Sequence, residues 1–347
     1  MKKQISLLLS ASLALSLFGC SAKKTAEEKV LNVLTWDGYI PEDVAAAFSE
    51  ETGIKLNYAN FNDNEEMLSK LEATEGGQYD IVIGSDYIID IARKKGLLSE
   101  LDKTKIPNYD NLDAAYLGQY YDPDNLYTVP YAPGTPLIIY DPAKVTIDIT
   151  SLDDLWNPAL ENQLVMMDDA RNVIGITLRS MGKSMNETDP AVLEQAKEKL
   201  MKLKPNIHHL DYNNPNESIV SGETSVGYLF TPQIILALQE RPDLKVVYPS
   251  EGIGFGIDCW FVPLNAPHKD NAYTFLNYIL DGETGARISE QTLCPCPNKA
   301  SEPYLSEEFK ANDALYIPDE FLGKTEFIED VGDATEIYDK IWTEFKQ

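Results

Sequence analysis

Carboxylates and aromatic rings gather where the apolar runs of this chain end. Trp36-Asp37-Gly38-Tyr39 follows the run Val30 to Thr35, and Ser85-Asp86-Tyr87 follows Ile81 to Gly84. Asp168-Asp169 comes after Gln163 to Met167, and Phe230-Thr231 closes the run that starts at Val226. Rings beside carboxylates suit an organic cation, because the rings cover its methylenes, their π-faces attract the ammonium and the carboxylates neutralise it. Covalent chemistry has less to work with. His208, His209 and His268 stand at no metal-ligand spacing, and the adjacent pair beside Asp211 reads as a surface turn. No G-x-S-x-G occurs, and Gly252-Ile253-Gly254-Phe255-Gly256 has Ile257 where a dinucleotide fingerprint requires glycine, with no helical pattern after it. That stretch reads as a flexible approach to an extended strand. The expectation is a binding protein with no catalytic, cofactor or metal site.

The elements around these segments alternate. Val30 to Thr35, Lys55 to Phe61 and Ile81 to Gly84 read as strands, separated by helices opened at Pro41-Glu42-Asp43, over Asn64 to Glu72 and over Tyr87 to Lys95. Tyr127 to Pro130 and Leu137 to Tyr140 read as extended, with Ala132-Pro133-Gly134-Thr135-Pro136 as a proline-rich bend suited to a crossing between lobes. The same alternation then resumes. Strands are expected at Gln163 to Met167, Val226 to Phe230 and Leu244 to Tyr248, and helices at Ser151 to Trp156, Asp169 to Met181, Pro190 to Lys202 behind an Asp189 cap, and Pro232 to Glu240. Ile257 to Pro263 reads as the return crossing, followed by helices at Lys269 to Leu280, Gly282 to Gln291 and Thr335 to Phe345. The class is α/β: two lobes, two crossover strands and a cleft that can hinge shut. In open α/β sheets ligands bind beyond the carboxyl ends of strands, so the ring-and-carboxylate segments should converge there.

The balance of 56 acidic against 29 basic residues gives a net charge of −27. Such a field repels nucleic acid and anionic lipid headgroups and favours cations. Residues 1–19 read as a lipoprotein signal: Lys2 and Lys3, an apolar run from Ile5 to Phe18, and Leu17-Phe18-Gly19-Cys20 at its close. Cys20 is the expected lipidation site, where two or three acyl chains would each add roughly 0.8 kcal/mol per buried methylene. Residues 20–29 form a small, charged tether. Cys259, Cys294 and Cys296 are left, an odd number; free thiols are expected, with a bridge from Cys259 to either partner as the alternative.

Further segments carry a family likeness: Trp36-Asp37-Gly38-Tyr39-Ile40-Pro41, Phe48-Ser49-Glu50-Glu51-Thr52-Gly53-Ile54, Tyr79-Asp80-Ile81-Val82, Asp153-Asp154-Leu155-Trp156, Asp168-Asp169-Ala170-Arg171, Pro297-Asn298 and Asp330-Val331-Gly332. Over nearly all of the chain after the signal, the sequence resembles the substrate-binding proteins of bacterial spermidine/putrescine ABC transporters. That resemblance implies a two-lobed type II periplasmic-binding-protein fold, with Trp36, Tyr39, Ser85, Tyr87, Asp169 and Asp258 at the family's aromatic, polar and acidic contacts. Trp36 and Tyr39 would flank the alkyl chain, Asp258 would pair with an ammonium and Asp169 would hold a terminal amine. Other positions depart from the family. Asp37 stands for a threonine, Asn172 for a glutamate, Phe230 for a tryptophan, Gly256 for a second tryptophan, Cys294 for a tyrosine and Ile328 for a glutamine. Phe255 and Trp260 are candidates for the lost ring, though strand parity stops both from facing the site with Asp258. Losing one charge contact costs about 1.5–3 kcal/mol, which Asp37 could return from the opposite lobe.

The signal and Cys20 lead to the expectation of a lipid-anchored protein on the extracytoplasmic face (or in the periplasm, if the cell has an outer membrane), and the resemblance implies a receptor, expected as a monomer, that hands a putrescine- or spermidine-like cation to an ABC permease. Its lobes are expected at 30–135 with 258–305, and at 136–257 with 306–347. The changed positions point to a shorter diamine over spermidine. Rival readings keep the scaffold with an amino acid, a thiamine-like base or a metal complex, or make the chain a lipid-anchored surface hydrolase.

Overall fold

A computed structural model describes residues 29–312 and 314–347. The signal segment, the expected lipid attachment at Cys20 and the tether up to residue 28 lie outside the described residues.

The first lobe begins with β1 (Val30–Thr35), α1 (Glu42–Thr52), β2 (Lys55–Asn60), α2 (Asn64–Ala73), β3 (Ile81–Ser85) and α3 (Asp86–Lys94). β1 pairs in parallel with both β2 and β3. The apolar run of β3 is buried along nearly its whole length, as a strand covered by helices on both faces must be. Val44 and Phe48 form the inward stripe of α1, and the Phe48 ring meets Phe275 edge-on at 5.3 Å. β4 (Thr128–Gly134) then leads directly into β5 (Pro136–Tyr140).

β5 lies in a second sheet. The chain continues through β6 (Leu164–Met166), α4 (Ala170–Arg179), α5 (Pro190–Leu203), β7 (Ile207–Leu210), α6 (Pro215–Ser221), β8 (Val226–Phe230), α7 (Thr231–Glu240) and β9 (Lys245–Val247). It returns as β10 (Gly254–Phe261), followed by α8 (Lys269–Ile279), α9 (Gly282–Thr292), α10 (Glu307–Lys310), α11 (Asp319–Leu322), β11 (Glu326–Phe327) and α12 (Thr335–Lys346). The first sheet has six strands in the order β11-β10-β3-β1-β2, with β4 also on β10; the second has five in the order β7-β6-β8-β5-β9. Each sheet thus holds parallel strands plus antiparallel ones that arrive from the other lobe.

The crossings are short. Thr135 alone separates β4 from β5, and its carbonyl accepts from the Thr231 hydroxyl at 2.7 Å and the Thr231 amide at 3.1 Å, which ties the crossing to the start of α7. The expected proline-rich bend over 132–136 is therefore confined to one residue: Pro130 and Pro133 sit where β4 pairs with Cys259 and Ile257, and strand geometry tolerates them. The return also differs from the expected boundary at 258. β10 belongs to the first sheet from Gly254, because Gly254 and Phe255 pair with β11 while Gly256 and Ile257 pair with Gly134 and Pro133. Gly252 opens that return at φ +97°, and an added Cβ would lie 2.2 Å from the Lys324 carbonyl oxygen. Only glycine fits so close an approach.

Two further differences concern the second lobe. His208 and His209 lie in β7, not in a turn; β7 is an edge strand with one unpaired side, so it carries polar residues and lacks an apolar alternation. The helix α6 was also not expected. Its start at Pro215 follows an asparagine-rich stretch that reads as loop. After α9 the chain makes one more passage: Leu305, Phe309 and Leu315 join the core around Leu137 and Ile139, and α12 then buries Tyr338, Ile341 and Phe345 in the core shared with α4 and α5. Cys259, Cys294 and Cys296 are free thiols. Among the described residues no helix is long and apolar enough to cross a membrane.

Candidate binding site

Asp258 sits in β10 directly opposite Ser85, the last residue of β3. That register lets the Ser85 hydroxyl donate to Asp258 Oδ1 at 2.7 Å, while the Tyr39 phenol donates to Oδ2 at 2.7 Å. Both donors are themselves held. Asn64 Nδ2 donates to Ser85 Oγ at 3.1 Å, and the Tyr131 phenol donates to the Tyr39 carbonyl at 2.8 Å. A solvent probe still reaches part of Asp258 within the cleft, but protein atoms surround the carboxylate and hydrate it poorly. Desolvation therefore pushes its pKa up, and hydrogen bonding from Ser85 and Tyr39 pulls against that shift. The Trp36 indole also acts on Asp258 in the same direction as these donors, yet its Nε1 is buried without a hydrogen bond of normal geometry.

Trp36 extends the wall. Its ring lies 4.2 Å from Phe61 and 6.5 Å from Tyr212. Tyr212 follows β7 in the second lobe, where its carbonyl accepts from Gln233 Nε2 at 3.0 Å, so the Trp36–Tyr212 approach spans the cleft. Asp169 reaches the cleft from the second lobe as the N-cap of α4, accepting the Asn172 amide at 2.9 Å. Burial raises its pKa, opposed by hydrogen bonding from Asn172. From the first lobe, the Tyr87 phenol donates to Glu65 Oε1 at 3.0 Å. The Tyr87 phenol is raised well above its ordinary value by burial and then by the charges of Glu65 and Asp169. Tyr212 likewise feels Asp169, Asp258, Asp63 and Glu65. Carboxylates of both lobes thus converge on one place, and neither Asp169 nor Asp258 forms an ion pair among the described residues.

Several expected positions lie elsewhere. Asp37 is exposed and accepts from Asn60 Nδ2 at 2.8 Å, so the charge it carries is in solvent and not in the cleft. Asn172 is buried in the first turn of α4. Phe230 precedes α7, its amide accepted by Gln233 Oε1 at 3.2 Å, and its ring packs partly buried against the core of the second lobe. Phe255 meets Phe327 edge-on at 5.1 Å, on the face of β10 opposite Asp258. Trp260 shares the Asp258 face but is wholly buried between Tyr131 and Phe275. Neither ring replaces the aromatic missing at Gly256. Glu65 and Tyr212 carry no sequence signal for the site: they belong to a polar helix start and a loop, and no periodicity marks such residues as facing a cleft.

Rings and carboxylates side by side are the chemistry an organic cation needs. Among the described residues no three His, Cys, Asp or Glu side chains are arranged to hold a metal ion. Comparison with known proteins agrees with this chemistry. Residues 43–316 match the model of the bacterial extracellular solute-binding protein family. The spermidine/putrescine-binding periplasmic protein of Salmonella typhimurium is 37% identical over 100% of this chain and 99% of its own. The solved structure of the spermidine/putrescine ABC transporter substrate-binding protein PotD from Streptococcus pneumoniae is similar with a TM-score of 0.79 at 32% identity, covering 91% of this chain and 98% of that one. The TpPotD lipoprotein of Treponema pallidum is similar with a TM-score of 0.82 at 25% identity, over 91% and 99%.

Proposed function

This chain belongs to the bacterial extracellular solute-binding proteins, and we propose that it captures a polyamine by closing two lobes around it and delivers the cation to the permease of an ABC importer. One observation carries this reading: Asp258 is held by Tyr39 and Ser85 beside Trp36, shares the neighbourhood of Tyr212 with Asp169 of the other lobe, and has no cationic side chain to neutralise it. An uncompensated carboxylate in a poorly hydrated place, as Asp258 is, is costly unless a partner arrives, whereas Asp169 already feels the Arg171 guanidinium. The ligand is that partner. Closure works about the short crossings at Thr135 and ahead of Gly254, and ligand contacts made only in the closed form shift the equilibrium toward it. No step breaks a covalent bond.

The polyamine taken is a short diamine in preference to spermidine. Asn172 supplies no charge for a third ammonium, and neither Phe255 nor Trp260 lines a longer alkyl path. A thermal-shift panel tests this. Putrescine at 100 times its Kd should stabilise the folded state by about 2.7 kcal/mol, and spermidine at equal concentration should stabilise it less. A panel led by spermidine would reverse the preference, and one in which no amine shifts the melt would remove the polyamine reading.

We also propose that the receptor is anchored through Cys20 on the extracytoplasmic side of the membrane. The support is the basic start, the short apolar run and the Gly19-Cys20 close. Replacing Cys20 with alanine should move the protein from the membrane fraction to the soluble one. Unchanged membrane recovery would exclude this anchor.

A further inference from the structure

The charge missing at Asn172 has a counterpart in the first lobe. Asp86 opens α3 and is only 1% exposed. Its Oδ1 accepts the Tyr87 amide at 2.8 Å, and its Oδ2 accepts the Ile257 amide through a longer contact of 3.3 Å. The second of these bonds exists because β3 ends at Ser85: beyond the Ser85–Asp258 pair, the Asp86 carboxylate takes the place of a backbone partner for β10. A capping role explains the first bond and would be served equally by asparagine. It does not explain a buried carboxyl group.

Gly256 is the second observation. It lies two residues before Asp258 and therefore on the same face of β10. A Cβ built there would meet a single neighbour within 4 Å, Asp86 Oδ2 at 3.9 Å. An added Cβ thus has room at Gly256, Asp86 borders that position, and Asp258 lies on the same side of the strand. A larger side chain at 256 would separate the two carboxylates from a ligand lying there.

We propose that Asp86 is a specificity-determining residue of the polyamine site, and that it and Asp258 share one primary ammonium of an α,ω-diamine in the space left by Gly256. This rests on the polyamine reading above. A primary ammonium has three N–H donors and can satisfy two carboxylates at once with one bond to spare. Spermidine also ends in primary ammoniums, so this bracket reads the N–H count of a terminal amine: an N-alkylated end has only two donors, carries carbon on both sides and suits it less well. The electrostatics agree. Burial and then the charge of Asp258 hold the Asp86 carboxyl well above the usual carboxylate range.

Isothermal calorimetry on the ligand-free protein, with putrescine, N,N′-dimethylputrescine and spermidine, tests the assignment. Asp86→Asn should lower putrescine affinity at least tenfold and shrink the preference for putrescine over its dimethyl analogue. Gly256→Leu, which leaves Asp86 untouched but covers Oδ2, should shift both quantities in the same direction. It provides the answer even if Asp86→Asn fails to fold. Wild-type affinity and wild-type preference in a folded variant would overturn the role of Asp86 and leave the polyamine reading standing. A wild-type protein that binds none of the three amines would overturn both.

Discussion

Replacing Asp258 with asparagine should cut the affinity for putrescine and spermidine by roughly 10- to 150-fold, the worth of a charge-assisted hydrogen bond of about 1.5–3 kcal/mol. Asparagine keeps the shape of the side chain and can still accept from Ser85 or Tyr39, so the pocket should not collapse. Only the charge leaves. The ligand-free protein should then melt at the same temperature or higher, because Asp258 is held in a poorly hydrated place that raises its pKa and no side chain neutralises it. Weakened binding together with retained or improved stability is the signature of a group kept for function. Calorimetry and a thermal melt of the same preparation check both halves. Unchanged affinity would remove Asp258 from the site, and a strong loss of stability would make it a structural residue.

The second large effect is on pH dependence. The carboxyls of Asp86, Asp169 and Asp258 are all raised, each principally by burial. In the ligand-free protein they hold protons at pH values where the unfolded chain, with carboxyl pKa values near about 4, has lost them. The folded form then binds more protons than the unfolded form, so its stability should increase as pH falls through that window and decrease as pH rises. Cation binding has the opposite sign, since it requires the charged carboxylates. Affinity should fall as pH is lowered toward the ordinary carboxyl range, by about tenfold per pH unit for each proton that must be released. Below about pH 4 a different set takes over: Asp141, lowered by its Ala143 amide and Arg241 partners against burial, and Asp154, lowered by Thr150 and Ser151, lose their stabilising charge there. Titrations at several pH values, in buffers of different ionisation enthalpy, would measure both the affinity and the protons released. An affinity that stays flat down to about pH 4 would contradict this account.

These effects come from residues that were unequally visible beforehand. Asp189 was legible as a cap because an N-cap is a local device, decided by a residue and the helix that follows it. The strand-end segments around Trp36, Ser85 and Asp169 were legible because ends of apolar runs can be read directly, and the α/β rule says where such ends lie. Asp37 misled for the same reason: proximity to Trp36 in sequence does not say whether a side chain turns into the cleft or out toward Asn60. β7 and α6 escaped because an edge strand and a short polar helix carry no strong periodicity.

The order of apolar runs and amphipathic helices determined the two-lobed α/β architecture, since each element must bury its own face and few layer arrangements allow it. Local chemistry also determined the caps and the acidity of the cleft. Only the tertiary structure decided which charges meet. Asp86 gains its burial from β10, some 170 positions away, Tyr212 is brought to Trp36 by the second lobe, and the parity of one strand sends Phe255 away from Asp258 while leaving open space at Gly256. Periodicity records that a face is buried; what arrives to bury it depends on contacts between elements far apart in the chain.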